Sequence, residues 1–187
     1  EGLWVWDEPE SDVYSKLGSF LNDGWKFIGH NVCADFVWMS HWLGVDTYQK
    51  CAFDTMYAEF LLDEYADLKL ERLSLKYTDL GRYDTELFLT KKRLKISASE
   101  GYGRIPDDVL IPYACKDVDV VMRAYPILMQ KLYSEKLNSY YFDINLPYVT
   151  DSFFSMATAG VPVNKSYLDT MRSVFTNNEA LLLLDLR

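Results

Sequence analysis

The N-terminal third of this chain alternates short apolar runs with stretches of helical periodicity. Three runs predict strands, at residues 3–6, 25–32 and 51–53. Apolar residues recur at helical spacing in residues 13–21, 36–43 and 55–62, and Ser11 and Asp54 are candidate N-caps. Alternating strands and helices predict an α/β domain. The 187 residues, 49% of them apolar, suffice for one core and a short additional piece.

The second half of the sequence predicts helices almost throughout. Helical patterns cover residues 70–77, 113–137, 146–159 and 165 onward. Pro112 is expected in the first turn of the second of these helices, and Pro126 is expected to kink or interrupt it. The charged, Gly-containing stretch 80–106 predicts loops and one short helix.

Composition excludes several classes of protein. Cys33, Cys51 and Cys115 form no close-spaced pair, which argues against a disulfide framework and against a zinc site. No stretch approaches the roughly 20 apolar residues of a membrane span, so we expect a cytoplasmic protein without a membrane partner. A formal net charge of −9 is unfavourable for binding a polyanion, which limits how nucleic acid could be held.

Two short motifs carry candidate chemistry. An apolar run delivers Asn31 and then Asp35 at a strand-to-helix junction, where open α/β sheets present ligand sites. Tyr113 and Asp117 are four residues apart on a predicted helix and therefore share a face. Taken singly, each has a structural interpretation: a helix cap, a half-buried aromatic ring, a surface acid. Their combination suits phosphodiester hydrolysis, in which carboxylates hold two divalent ions roughly 3.5–4 Å apart.

Residues 29–35, 52–56 and 113–119 resemble the second and third motifs of the 3′–5′ exonuclease domain in family A DNA polymerases. That domain belongs to the tyrosine branch of the DEDD superfamily; the histidine branch would carry His where this chain has Pro112. The resemblance implies an α/β fold of the ribonuclease H-like kind, a mixed sheet flanked by helices. It extends from about Trp4 to Leu168, and residues 146–163 resemble the passage into a polymerase thumb. We therefore expect an exonuclease domain over residues 1–142, and over residues 143–187 a connection and the start of a helical thumb.

The resemblance also implies roles for individual residues. Asp35 and Asp117 would bind metal, Mg²⁺ or Mn²⁺, with two ions in the complete site. Tyr113 would orient the attacking water, and Asn31 with His30 would hold the terminal nucleotide. The implied partners are a single-stranded DNA 3′ end and the polymerase domain of the same longer chain.

The family's first motif, Asp-x-Glu, has no clear counterpart. Asp7, Glu8 and Glu10 are the only candidates, and we interpret them as a turn entering a helix. We expect the first strands and their carboxylates to lie upstream of Glu1, lost by truncation or in evolution, and we expect the fragment to have weak or no nuclease activity.

The basic run 91–95, with Arg104, is a candidate contact to the nucleic-acid backbone, although a solvated loop explains it equally well.

Two other functions remain open. The domain could be a catalytically decayed exonuclease fold that braces a polymerase. It could also be a stand-alone exoribonuclease of the RNase D kind, although such a protein would need a helical nucleic-acid-binding module in place of residues 147–163. An apolar strand ending in Asp-x-Glu upstream of Glu1 would favour the enzyme.

Overall fold

A computed structural model of the chain describes residues 16, 18–20, 23–43, 47–97 and 100–185. The predicted strand at residues 3–6 and the acidic turn from Asp7 to Glu10 lie outside the described residues, as does most of the predicted helix 13–21. Two compact units divide the chain, residues 1–155 and residues 156–187.

The described strands form a small parallel sheet. Strand β1 (Phe27–Gly29) pairs with β2 (Cys51–Asp54), with Ile28 opposite Phe53 and Gly29 opposite Asp54. The α/β expectation is confirmed, but the prediction of a strand over residues 25–32 is too long, since β1 covers only Phe27–Gly29. Asn31 has a φ of 57° and ends the strand, and Val32 begins a helix.

Helices make up most of the rest of the described residues up to Ala159. Their bounds are α1 (Val32–Leu43), α2 (Thr55–Leu62), α3 (Leu70–Tyr77), α4 (Thr85–Arg93), α5 (Asp107–Ser134), α6 (Asn138–Tyr140) and α7 (Phe154–Ala159). The predictions for α2 and α3 are confirmed, and α4 is the short helix expected between residues 80 and 106. A 3₁₀ turn, Tyr48–Lys50, precedes β2.

Helix α5 begins earlier than predicted. Pro112 lies inside it rather than in its first turn, and the helix also continues through Pro126 without interruption. Each proline removes one intrahelical hydrogen bond, but buried residues on both sides of Pro112, Val109 and Val120, hold the helix against the core. Asp107 and Asp108 in the first turn favour this earlier start, because carboxylates stabilise the positive end of the helix dipole.

The main core lies between β2, α2, α3 and α5. Its centre is Phe53, whose ring centroid is 4.9 Å from those of both Tyr125 and Tyr141. Leu73, Ala124, Leu128 and Leu132 complete it, all almost wholly buried. A smaller cluster formed by Leu87, Ile105 and Val109 attaches α4 and the following loop to the start of α5.

Beyond α6 the backbone stays helical through two π-helical stretches, Tyr141–Asn145 and Tyr148–Phe153. The helical prediction for residues 146–159 is confirmed, and Gly160 follows it with a φ of 67°. The second unit contains α8 (Lys165–Asp185), also as predicted. Of the helices that the structure describes, none has both the length and the apolar character of a membrane span.

Candidate active site

Asp54, at the end of β2, organises the motif of residues 29–35 from the neighbouring strand. Its carboxylate is fully buried and accepts backbone N–H bonds from Asn31 at 3.1 Å and Val32 at 2.8 Å. It also accepts the N–H groups of Met56 at 2.8 Å and Tyr57 at 3.4 Å. One carboxylate thus caps both α1 and α2. Burial raises the pKa of Asp54, and the four N–H donors oppose that rise.

His30 and Asn31 lie in the turn that Asp54 holds. The His30 Nδ1 is 3.0 Å from the hydroxyl of Thr55, and that hydroxyl donates to the carbonyl of Gly29 at 3.0 Å. Burial lowers the pKa of His30 to about 4, with a hydrogen bond to the backbone of Leu68 opposing the shift. The imidazole is therefore neutral near pH 7. Asn31 is exposed, so its side chain is accessible to a ligand.

Asp35 lies in the first turn of α1, on the exposed surface. Partial burial of its carboxylate raises its pKa. Within the described part of the chain, no hydrogen bond or ion pair joins Asp35 to Asp117 or Tyr113. The structure thus brings Asn31 and His30 together beside Asp54, while Asp35 stands one helical turn away.

Tyr113 and Asp117 share a face of α5, as the spacing predicts. The hydroxyl of Tyr83 donates a hydrogen bond to Oδ1 of Asp117 over 2.5 Å, and the hydroxyl of Tyr113 also stabilises that carboxylate. Burial raises the pKa of Asp117, and the two hydroxyl donors oppose this effect. Burial and the nearby Asp117 carboxylate raise the pKa of Tyr113 well above its usual value, so its hydroxyl stays protonated.

Three tyrosine rings form a row beside Asp117, here called the tyrosine row: Tyr83, Tyr113 and Tyr102. The centroids of Tyr83 and Tyr113 are 5.8 Å apart, those of Tyr113 and Tyr102 are 6.4 Å apart, and both pairs are stacked. The ammonium group of Lys91 lies 4.0 Å from the centroid of Tyr102. The three tyrosines and Lys91 line an open groove of about 380 Å³. Asp117 is not part of its lining, but it accepts a hydrogen bond from Tyr83, which is.

Sequence reasoning missed Tyr83 and Tyr102 as members of this site. Both lie in the charged stretch 80–106, where periodicity is weak, and no local pattern distinguishes them from ordinary loop tyrosines. Asp54 was predicted only as the cap of α2. Its second set of hydrogen bonds, to Asn31 and Val32, depends on strand pairing that no local signal encodes.

The carboxylates that could hold a metal are Asp35 and Asp117. Among the described residues, no group of three or more His, Cys, Asp or Glu side chains comes together as a metal site. Asp117 is partly buried and, within the same residues, receives hydrogen bonds but no ion pair.

Comparison with known proteins gives one family and two relatives. A sequence model described as 3′-5′ exonuclease matches residues 1–133. The chain is 33% identical over 181 residues to the DNA polymerase of Escherichia phage T5, and 24% identical over 181 residues to DNA polymerase I of Borreliella burgdorferi. Each alignment covers 90% of this chain but only 21% and 18%, respectively, of the relative, so the chain spans about a fifth of their length. No solved structure matches it significantly.

Proposed function

Because the chain belongs to the 3′-5′ exonuclease family of family A DNA polymerases, we propose that it is the proofreading portion of such a polymerase. Its reaction would be hydrolysis of the 3′-terminal phosphodiester of a single-stranded DNA end. The observation that carries the proposal is the pair Tyr113 and Asp117, a protonated hydroxyl and a partly buried carboxylate on one helix face, with the Tyr113 ring lining a groove.

Each residue has a proposed role in that reaction. Asp117 and Asp35 would hold Mg²⁺ or Mn²⁺, and a complete site would hold two ions. Bound metal would supply an activated water and stabilise both the attacking and the leaving oxygens. The Tyr113 hydroxyl would orient the attacking water, because it can donate one hydrogen bond and accept another.

Asn31 would hold the terminal nucleotide, since its side chain is exposed beside the end of β1. His30 would belong to the substrate site because of the resemblance to the family. Its hydrogen bond to Thr55 supports an indirect role, in which the neutral imidazole fixes the turn that carries Asn31.

We further propose a ribonuclease H-like fold, with the exonuclease domain over residues 1–142 and the start of a polymerase thumb over residues 143–187. The parallel pair β1 and β2, with helices packed on it, supports the first part of this proposal. The polymerase domain of the same longer chain would be the main partner, acting in the cytoplasm of a bacterial or virus-infected cell.

The decisive experiment replaces Asp117 in the polymerase proposed to contain this chain. Asp117→Ala should abolish Mg²⁺- or Mn²⁺-dependent removal of 3′ nucleotides from a single-stranded DNA oligonucleotide. Asp119→Ala is the matched control, because Asp119 lies on the same helix but pairs with Arg123. Undiminished digestion by Asp117→Ala would reject the site.

Two outcomes would favour the other candidate functions. A polymerase that digests neither DNA nor RNA, with or without added Mn²⁺, would point to a decayed domain that only braces the polymerase. Faster digestion of an RNA oligonucleotide than of its DNA equivalent would instead favour the RNase D-like alternative.

A further inference from the structure

We propose that Lys91, held over the ring of Tyr102, is a specific backbone-phosphate contact for a single strand entering the groove beside Tyr113. This inference deepens the proposed function and rests on it. It selects one residue from the basic run 91–95, whose members the sequence does not distinguish.

The environment of Lys91 differs from that of its basic neighbours. Lys91 is half-buried, whereas Lys92, Arg93 and Lys95 are exposed. Its ammonium group lies over the face of Tyr102, and within the described residues it forms no ion pair with a carboxylate. An ammonium held by an aromatic face keeps its charge available to a phosphate oxygen.

The end of α4 fixes the backbone from which Lys91 projects. The N–H of Ile96 donates to the carbonyl of Lys91 at 2.9 Å, and the N–H of Lys95 donates to that of Lys92 at 3.2 Å. These two bonds, with Lys95 at a φ of 54°, form a Schellman helix terminus. Ile96 then packs against the cluster of Leu87, Ile105 and Val109, so the terminus is anchored to the protein interior.

Charges of both signs line the groove. Lys91 lies over Tyr102 at one end of the tyrosine row, while Asp84, which lines the same groove, lies close enough to Asp117 to raise the pKa of that carboxylate. A polyanion would therefore enter with a phosphate at Lys91, and would reach Asp117 only together with cations. Phe88 lines the same groove and is 64% exposed, one turn before Lys91 on α4.

An exposed phenyl ring beside a positioned lysine suits a single strand. Unpaired bases present π-faces that stack on aromatic side chains, while the backbone follows the positive charge. Glu71 and Asp84 also line the groove and would weaken non-specific attraction. Lys69 is the other cation of the groove lining, and within the described part of the chain no aromatic ring holds its ammonium group. A strand would therefore depend on the positioned ammonium of Lys91 more than on a diffuse positive field.

Binding of a fluorescent oligothymidylate to the chain itself tests the proposal, with EDTA present so that nothing is cleaved. Anisotropy would be measured over a range of salt concentrations for the parent, Lys91→Gln and Lys92→Gln. Lys91→Gln should weaken binding roughly fivefold at low salt. It should also flatten the slope of log K against log[salt] by about 0.7, the value for one phosphate contact on a single strand. Lys92→Gln should match the parent in both.

Tyr102 variants test whether the ring positions the lysine. Tyr102→Phe keeps the aromatic face and should bind nearly as the parent does, whereas Tyr102→Leu should weaken binding as Lys91→Gln does. The double variant Lys91→Gln/Tyr102→Leu should be no weaker than either single variant, because both remove the same contact. Circular dichroism of each variant confirms that it is folded.

Three results would overturn the inference: no measurable binding by the parent, equal weakening by Lys91→Gln and Lys92→Gln, or no change with Lys91→Gln. None of these depends on cleavage. Undiminished digestion by Asp117→Ala would reject the catalytic site. It would not alter the binding result for Lys91→Gln, which is measured without cleavage. The two failures are therefore distinguishable.

Discussion

The hydroxyl of Tyr83 donates a hydrogen bond to Oδ1 of Asp117 over 2.5 Å, across 34 residues of sequence. The same ring stacks on Tyr113. Tyr83 is thus in contact with both members of the motif on α5, and it comes from the loop before α4. Because Tyr83 is itself nearly buried, it limits the positions that the Asp117 carboxylate can adopt.

Replacing Tyr83 with Phe removes this hydrogen bond and keeps the ring. The hydroxyl lowers the pKa of Asp117, so its loss should raise that pKa further above the usual range. The free energy of unfolding should fall by about 1.5 kcal/mol, typical of a hydrogen bond to a charged group. Carbon-detected NMR titration of the carboxylates and urea denaturation measure the two effects. Tyr65→Phe, at a site 89% exposed, is the control and should change neither. An unaltered Asp117 titration would contradict the assignment.

Asp54→Asn should be strongly destabilising. The amide keeps one acceptor oxygen, but its NH₂ group faces backbone N–H donors that the carboxylate now satisfies. Leaving one or more of these buried donors unpaired should cost about 2–4 kcal/mol. Urea denaturation gives the value, and Asp63→Asn is the control, because Asp63 caps only an exposed turn at Tyr65. A loss as small as that of the control would mean that the helix starts do not need the charge.

The stability of the protein should depend on pH through His30. Its folded-state pKa, about 4, lies below the ordinary value of 6.5, so the unfolded chain binds the proton first as the pH falls. The stabilisation is complete above pH 6.5 and is lost between pH 6.5 and 4, by about 3 kcal/mol in total.

The difference in unfolding free energy between the parent and His30→Gln isolates this effect from the carboxylates. Asp35, Asp54 and Asp117 have raised pKa values, and their contribution has the opposite sign, but both proteins share it. We expect the difference to shrink as the pH falls from 7 to 4. A difference independent of pH would show that His30 titrates normally in the folded protein.

Lys95→Gly should stabilise the protein by about 1 kcal/mol, since Lys95 adopts a left-handed conformation that costs non-glycine residues about that much. Thermal denaturation measures the gain. Lys95→Ala retains the Cβ atom and should give no gain, and Lys92→Gly, inside α4, should lose about 1 kcal/mol. Equal effects of the Gly substitutions at 92 and 95 would contradict the helix terminus described here.

The sequence predicted elements whose signals are local. Helix α2 has Asp54 as its N-cap, and α3 has apolar residues at helical spacing, so both matched closely. The strand predicted at residues 25–32 was too long because Val32 is apolar, while the turn at Asn31 depends on Asp54 from another strand. The early start of α5 depends on Val109 packing against Leu87 and Ile105, a tertiary contact that outweighs Pro112.

The candidate site divides in the same way. The spacing of Tyr113 and Asp117 on one helix is a local property, and it predicted that the two side chains share a face. Tyr83 and Tyr102 reach the site from a loop region in which neither periodicity nor charge marks them. Which lysine of the run 91–95 contacts an aromatic ring depends on where α4 ends, and the ring belongs to a different segment.

The starts of α1 and α2 both depend on the side chain of Asp54. Its carboxylate accepts N–H bonds at the starts of both α1 and α2. Its backbone N–H and carbonyl also meet the hydroxyl of Tyr141, at 2.8 and 2.9 Å, but those bonds do not depend on the side chain. A side chain at position 54 that caps only one helix therefore leaves the other uncapped, and a descendant sequence could exchange Asp54 only by altering both helix starts together.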